Sequence, residues 1–325
     1  MRWLIVGDEW PTAGGSPGGV GEWTFLAASA LFEVGAVEVF VRHRPDLRPF
    51  PGLRGVRGPS FGRWGGVWTG LATRSAVDRA DAVLCATWPV ATRIVHPRLH
   101  VVAHGSDITR PTRDPGGRER VFGRATGWAV SAFLADQVAG ARVLPVPIEP
   151  APPRRLRSAL RTLGLVARAT PLKGGDRFIR LVHAAGLAGR IAGDGPELPA
   201  WRALAAQLGA RVTFDGSLPH AEMPAFYESI DAAVLTPRPH RDGSGAEGLG
   251  LCLLEAAAHS VPTVGCRTGG VPEASDLLLD DPDDSAQSAR ALQAWWNPQR
   301  GNAARDRLAQ GHGRGRMVAL LSGGG

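Results

Sequence analysis

Short, continuous apolar runs alternate with amphipathic stretches along nearly the whole chain, and the alternation restarts once, after a cluster of prolines. In the first half the runs are WLIVG (3–7), VEVFV (37–41), DAVLC (81–85), LHVVA (99–103) and GWAVS (127–131). Helical patterns over 20–34 and 66–79 separate them. Runs apolar on both faces and spaced by helices predict a parallel sheet covered on both sides. VLPVPIEPAPPRR (143–155) then places five prolines between Leu144 and Arg154. Proline removes backbone donors and disfavours helix before it, so this stretch reads as a stiff, extended linker. Beyond it come strand patterns at 162–168, 187–192, 210–216, 231–237 and 261–267, with helices over 174–186 and 249–259. Helices are also expected at 285–296 and 301–321. The pattern predicts an α/β chain with two Rossmann-like units, in which ligands bind beyond the carboxyl ends of the strands.

With 325 residues the chain is long enough for two domains. The formal charge of +7 is compatible with nucleic acid, anionic lipid or a phosphorylated small molecule, and equally with arginines scattered over a solvated surface. No helix-turn-helix or aromatic platform accompanies the charge, so no nucleic-acid partner is expected. Cys85, Cys252 and Cys266 each lie in an apolar run, with neither C-x-x-C nor metal spacing to histidine. They read as buried free thiols in a reducing cytoplasm, and no metal is expected. The opening MRWLIVGDEWP is too short an apolar run for a signal peptide, and no stretch reaches about 18 apolar residues.

Five loops carry chemistry. In RATPLKGGD, Arg168 ends a strand, and Lys173, the chain's only lysine, precedes Gly174 and Gly175 at a helix start. A helix N-terminus with nearby cations and glycines that admit a ligand suits a diphosphate; it is also a common way to begin any helix. In DGSGAEGLGLCLLEAAAHSVP (242–262), Glu247 and Glu255 stand eight apart around a glycine-rich helix start. The N–H groups of Leu249, Gly250 and Leu251 are placed to meet an anion. GDGPE (193–197) is a strand-to-helix turn, and SPGGVGEW (16–23) a loose glycine loop after the first strand. The latter is neither a dinucleotide fingerprint nor a P-loop, which disfavours a plain nicotinamide dehydrogenase and a P-loop NTPase. VVAHGSD (101–107) puts His104 at a strand's carboxyl end.

Taken in order, GLVAR…LKGGD, IAGDGPEL, VTFDGSLPHAEMPAFYESIDAAVLTP and AEGLGLCLLEAAAHSVPTVGCRTGGVPE resemble family-four (group 1) retaining glycosyltransferases. The resemblance runs in register over about 162–275; in the first half it rests on PGGVGEW, HGSD and WAVSAFLADQV. It implies a GT-B fold, two Rossmann-like α/β/α domains facing a central cleft. The acceptor domain is expected at 1–148, the nucleotide-sugar domain at 149–300, and a helix and tail at 301–325 packing back on the first domain.

The resemblance further implies that Arg168 and Lys173 hold the donor diphosphate, with Gly18 or Gly19 and the N–H groups around Gly248, Leu249, Gly250 and Leu251. Glu255 would bind the donor ribose, Glu247 and His104 the transferring sugar. Gly193, Asp194, Gly195 and the segment after Phe214, including Leu218, would flank the base. The donor is expected to be a UDP- or GDP-sugar and the acceptor a small natural product or glycolipid, with no metal and no cofactor. A cyclitol-coupling relative or a silent nucleotide-sugar binder is the alternative. The stretch 44–70, with Arg54, Arg57, Arg63, Trp64 and Trp68, is read as an acceptor or membrane-contacting surface or as a solvated basic loop. Trp10 and Trp23 fit sugar stacking or core packing. The location implied is cytoplasmic, with peripheral membrane contact left open; neither residues nor resemblance sets the oligomeric state.

Overall fold

The computed structural model describes residues 1–12, 18–42, 46–56, 65–112, 114–239 and 245–323. They form two compact units, Met1–Pro147 with His312–Gly325, and Ile148–Gly311. The first unit carries strands β1 (Arg2–Gly7), β2 (Ala36–Arg42), β3 (Leu53–Val56), β4 (Ala82–Cys85), β5 (Leu99–Ala103), β6 (Thr126–Ala129) and β7 (Arg142–Val143). The second carries β8 (Thr162–Val166), β9 (Ala188–Ala192), β10 (Val212–Gly216), β11 (Ala232–Val234), β12 (Thr263–Cys266) and β13 (Leu277–Leu279).

Both sheets are parallel between every pair of neighbours. Their orders are β3-β2-β1-β4-β5-β6-β7 and β10-β9-β8-β11-β12-β13. Each reverses direction once, between β1 and β4 and between β8 and β11, the arrangement of a doubly wound Rossmann sheet. The strands are apolar for the reason the sequence suggested: Leu4, Ile5, Val83, Leu84, Val101, Val102, Leu163 and Leu165 are all buried between helices. The helix Gly175–Ala185 shows the complementary pattern, burying Phe178, Ile179, Leu181 and Val182 and ending at Gly186 in the left-handed region.

Two expectations change, and a third, left open between two readings, is decided. The tail read as one helix over 301–321 is two, Arg300–Gly311 and Arg314–Leu321, broken at His312–Gly313. Gly313 has φ 119, and Val146 exchanges bonds with both residues: its N–H donates to His312 Nδ1 at 3.1 Å, and its carbonyl accepts from Gly313 N at 3.0 Å. The first helix thereby stays in the second unit and the last belongs to the first, where Met317 and Leu321 are buried. Secondly, the stretch 44–70 is no uniform loop: 53–56 is the edge strand β3, and Arg54 Nε donates to Glu38 Oε1 at 3.0 Å. Arg57, Arg63 and Trp64 lie outside the described residues, and Trp68 falls within the helix Gly65–Arg79. Thirdly, Trp10 and Trp23 are core residues, each 1% exposed. Among the described residues, no helix is long and apolar enough to cross a membrane.

Candidate active site

Lys173 follows β8 on a short 3-10 turn, Pro171–Lys173, at the point where the second sheet reverses. Gly174 comes next at φ 66, and a Cβ there would meet the Thr236 carbonyl oxygen at 2.1 Å. At Gly175 a Cβ would meet the Trp201 ring at 2.4 Å. These glycines are therefore required by the protein's own packing; the sequence reading had them admitting a ligand. The loop is further tied down from the segment after β11: Arg238 N–H donates to Leu172 O at 2.8 Å, while its guanidinium pairs with Asp176 at 2.6 Å and Asp283 at 2.9 Å. Arg177 joins the same network through Asp283, at 2.8 Å, and Pro237 O, at 2.9 Å.

The Lys173 ammonium donates to Glu247 Oε2. Both side chains are largely shielded, 26% and 14% exposed. Burial works to lower the Lys173 pKa, but the charge and hydrogen bond of Glu247 outweigh it and hold the pKa above its ordinary value. Arg168 opposes this from within electrostatic range. Its strand ends earlier than expected, at Val166, and the Arg168 side chain is exposed, with no hydrogen bond among the described residues. Its backbone is braced by the GDGPE turn: Ala167 N–H donates to Ala192 O at 3.0 Å, Ala169 N–H to Asp194 O at 2.9 Å and Glu197 N–H to Ala169 O at 3.0 Å. Gly195 N–H closes the turn on Asp194 Oδ1 at 2.7 Å, and Gly193 N–H reaches Gly216 O, at the end of β10, at 2.7 Å. Leu218 follows, half-buried.

Glu247 sits before the helix Leu251–Ala258, which begins two residues later than expected, with Gly250 as a left-handed N-cap and no side-chain cap. Gly248 and Leu249 are buried there, and Leu253, Leu254, Ala257 and Ala258 form the packed face. Two glycines outside the expected site hold Glu247 in place. Gly270 N–H donates to Glu247 O at 3.0 Å; Cβ atoms at Gly269 and Gly270 would lie 2.1 Å from the carbonyl oxygens of Glu247 and Gly248. Glu255, on the fifth residue of the helix, accepts a 2.8 Å hydrogen bond from Tyr227, a residue the sequence reading passed over. Cys252, expected to be buried, is only half-buried; its thiol, pushed up to about 12 by desolvation, feels Lys173, Glu247 and Glu255 together, so the three charged groups share one neighbourhood. Among the described residues no cluster suited to a metal ion occurs.

The first unit holds the remaining expected residues. His104 directly follows β5, with the Trp23 ring edge-on at 4.7 Å. Asp107 Oδ1 accepts from the N–H groups of His104, at 3.1 Å, and Gly105, at 2.8 Å, and so fixes the turn. Burial lowers the His104 pKa to about 3, against an opposing hydrogen bond to Ala86, so the ring is neutral at neutral pH. Burial lifts Asp107 to about 6. Gly18 caps the helix Gly19–Phe32 without a side-chain bond; its first turn carries the buried Glu22, paired with Arg48 at 3.7 Å.

Known proteins share this architecture. Residues 161–297 match the family model of glycosyl transferases group 1. A GDP-mannose-dependent α-(1-6)-phosphatidylinositol monomannoside mannosyltransferase of Mycobacterium tuberculosis is 32% identical over 227 residues, 62% of this chain and 56% of the relative. The chain thus spans little more than half of that relative's length. Anabaena HepE, solved with UDP and glucose, superposes with a TM-score of 0.71 at 17% identity, covering 98% of each chain. AviGT4, a glycosyltransferase of avilamycin A biosynthesis, also gives a TM-score of 0.71, at 18% identity over 99% of this chain and 98% of its own. Two Rossmann-like units in this order give the chain the GT-B fold of these solved glycosyltransferases, and the unit bearing Lys173, Glu247 and Glu255 is the part that is similar to group 1 glycosyl transferases.

Proposed function

We propose that the protein transfers a sugar from a nucleoside-diphosphate sugar to an acceptor hydroxyl with retention of configuration. The observation that carries this reading is the shielded Lys173–Glu247 pair at the reversal point of the second sheet, beside Glu255. In the reaction the bond between the anomeric carbon and the leaving phosphate breaks as the acceptor oxygen bonds to that carbon from the same face. The acceptor proton passes to an oxygen of the departing diphosphate. Negative charge grows on that phosphate, and fixed cations placed beforehand stabilise it without reorganisation.

Lys173 has three donors, and its bond to Glu247 uses one, leaving the ammonium able to meet phosphate as well. Arg168, exposed on a braced backbone, offers a guanidinium fork to the same group. Glu247 would then accept from the sugar hydroxyls, so that one ion pair spans the bond being broken. The left-handed start at Gly250 adds N–H dipoles, and Glu255 takes the ribose. The mannosyltransferase relatives support a GDP-mannose-type donor and a phosphoinositide-mannoside-type glycolipid acceptor. A UDP-sugar donor or a natural-product acceptor fits the same chemistry. A lipid acceptor would be met at a membrane surface, where the net charge of +7 favours anionic headgroups.

Hydrolysis and thermal-shift measurements against GDP-mannose, UDP-glucose, TDP-glucose and ADP-glucose test the reading. One donor should raise the melting temperature and be slowly hydrolysed, with both effects weakened in Lys173→Ala and Glu255→Gln. The reading fails if no nucleotide sugar binds, or if both variants bind the preferred donor as the parent does.

A further inference from the structure

The chain has one lysine and one tyrosine, and each hydrogen-bonds one glutamate of the pair eight residues apart: Lys173 to Glu247, Tyr227 to Glu255. Tyr227 lies on the helix Met223–Ser229, is 1% exposed, and stacks on His259 with ring centroids 5.3 Å apart and planes at 15°. Its hydroxyl is 2.8 Å from Glu255 Oε2 and 3.4 Å from the carbonyl oxygen of Cys252, three residues earlier on the same helix. A ring so enclosed cannot itself reach a ligand. Its O–H donor is set by the packing of two helices, and it meets a carboxylate at the edge of the site.

We propose that Tyr227 is a positioning residue that fixes the Glu255 carboxylate for the two hydroxyls of a donor ribose, making the site selective for ribonucleotide over 2′-deoxyribonucleotide donors. The proposal rests on the ribose role given to Glu255 above. A carboxylate only accepts hydrogen bonds, so each sugar hydroxyl must donate to it, and its orientation decides whether both can. A glutamate free to rotate would adapt to one hydroxyl almost as well as to two. One clamped from the protein side by a phenol keeps an orientation matched to the diol. A 2′-deoxy donor then leaves part of a half-buried carboxylate without its hydroxyl partner, a situation in which hydrogen-bonding sites discriminate. The stacked ring holds the phenol in place, and its single O–H proton favours Glu255 at 2.8 Å over the Cys252 carbonyl at 3.4 Å.

The test compares Kd for GDP with 2′-deoxy-GDP, and UDP with 2′-deoxy-UDP, by calorimetry in the parent, Tyr227→Phe and Glu255→Gln. The parent should prefer the ribonucleotide by about tenfold, and Tyr227→Phe, which keeps the ring and its stacking, should reduce the preference to about threefold or less. If the parent shows the preference and Tyr227→Phe retains it, the proposal is overturned while the Glu255 assignment stands. If the parent shows no preference and Glu255→Gln binds all four nucleotides equally, the ribose role itself is wrong. If none of the four binds, the ribose role given to Glu255 has no guanosine or uridine ligand and this proposal falls with it, while the proposed function still stands or fails on the full donor panel. A measurement on the unaltered protein guards against an unstable variant. Tyrosine labelled with 13C at Cζ gives one resonance in this chain, which should shift more with the ribonucleotide than with its 2′-deoxy counterpart. Equal shifts count against the proposal.

Discussion

Lys173 and Glu247, 74 residues apart in sequence, form one shielded ion pair, and the charge state of the lysine depends on that carboxylate. Burial alone would release the lysine's proton more readily; the carboxylate prevents it. In Glu247→Gln the burial remains and the attraction is gone, so the Lys173 pKa should fall. Nucleotide-diphosphate affinity should then begin to decline at a lower pH in the variant than in the parent. Calorimetric titrations at three pH values decide it; parallel profiles would show that Lys173 does not meet the phosphate.

Gly270 is a second lever on the same glutamate. A methyl group there would sit 2.1 Å from the Gly248 carbonyl oxygen, a backbone atom that cannot swing aside. Gly270→Ala should cost about 1–3 kcal/mol of stability and weaken donor binding by displacing Glu247. Urea unfolding with and without nucleotide separates the two effects. An unchanged Kd in a folded variant would mean that the Glu247 loop does not depend on this contact.

Acid sensitivity should come in part from His100. The Trp128 indole N–H donates to its Nδ1 at 3.1 Å, and burial lowers its pKa to about 4. The folded state therefore disfavours the proton that the unfolded chain accepts near pH 6.5. Its contribution is present above about pH 6.5 and is lost as pH falls towards 4, reaching about 3 kcal/mol. His100→Gln keeps an acceptor for Trp128 but does not titrate, so its urea midpoint should change less between pH 7 and 5 than the parent's.

Arg54 offers a contrast. It was one candidate in the basic stretch for meeting an acceptor, but it pairs with Glu38 on the neighbouring strand and is well exposed. Arg54→Ala should alter stability by less than about 1 kcal/mol and leave acceptor KM unchanged. A several-fold rise in KM would return this edge to the acceptor surface.

The sheets were legible because β1, β4, β5 and β8 are runs of residues buried on both faces, a pattern that needs no partner to be recognised. β3 was not, since Arg54 and Gly55 interrupt it at an exposed edge, and β13 is a triplet too short to show a period. The break at His312–Gly313 was missed although glycines alternate at 311, 313 and 315, since each is tolerated within a helix singly; the bonds to Val146 reveal the turn. For the site, spacing indicated the glycine-rich helix starts, whereas the meeting of Lys173 with Glu247 depends on two loops brought together by sheet order. Tyr227 carried a signal of the same kind as Lys173, as the only residue of its type, yet no motif surrounds it. The glycines at 174, 175, 269 and 270 were visible, but sequence cannot tell a glycine that admits a ligand from one that admits a neighbouring backbone.

The paired chain crossings, at Pro147–Ile148 and at Gly311–His312, bear on how the protein is made. The second unit is one uninterrupted stretch, so its sheet can close while synthesis is still under way. The first unit, although it emerges earlier, lacks Met317 and Leu321 until the ribosome has passed them. Its Glu33 also waits for Arg314. The order of completion should thus run opposite to the order of translation, leaving the earlier-made half reliant on chaperones for longer.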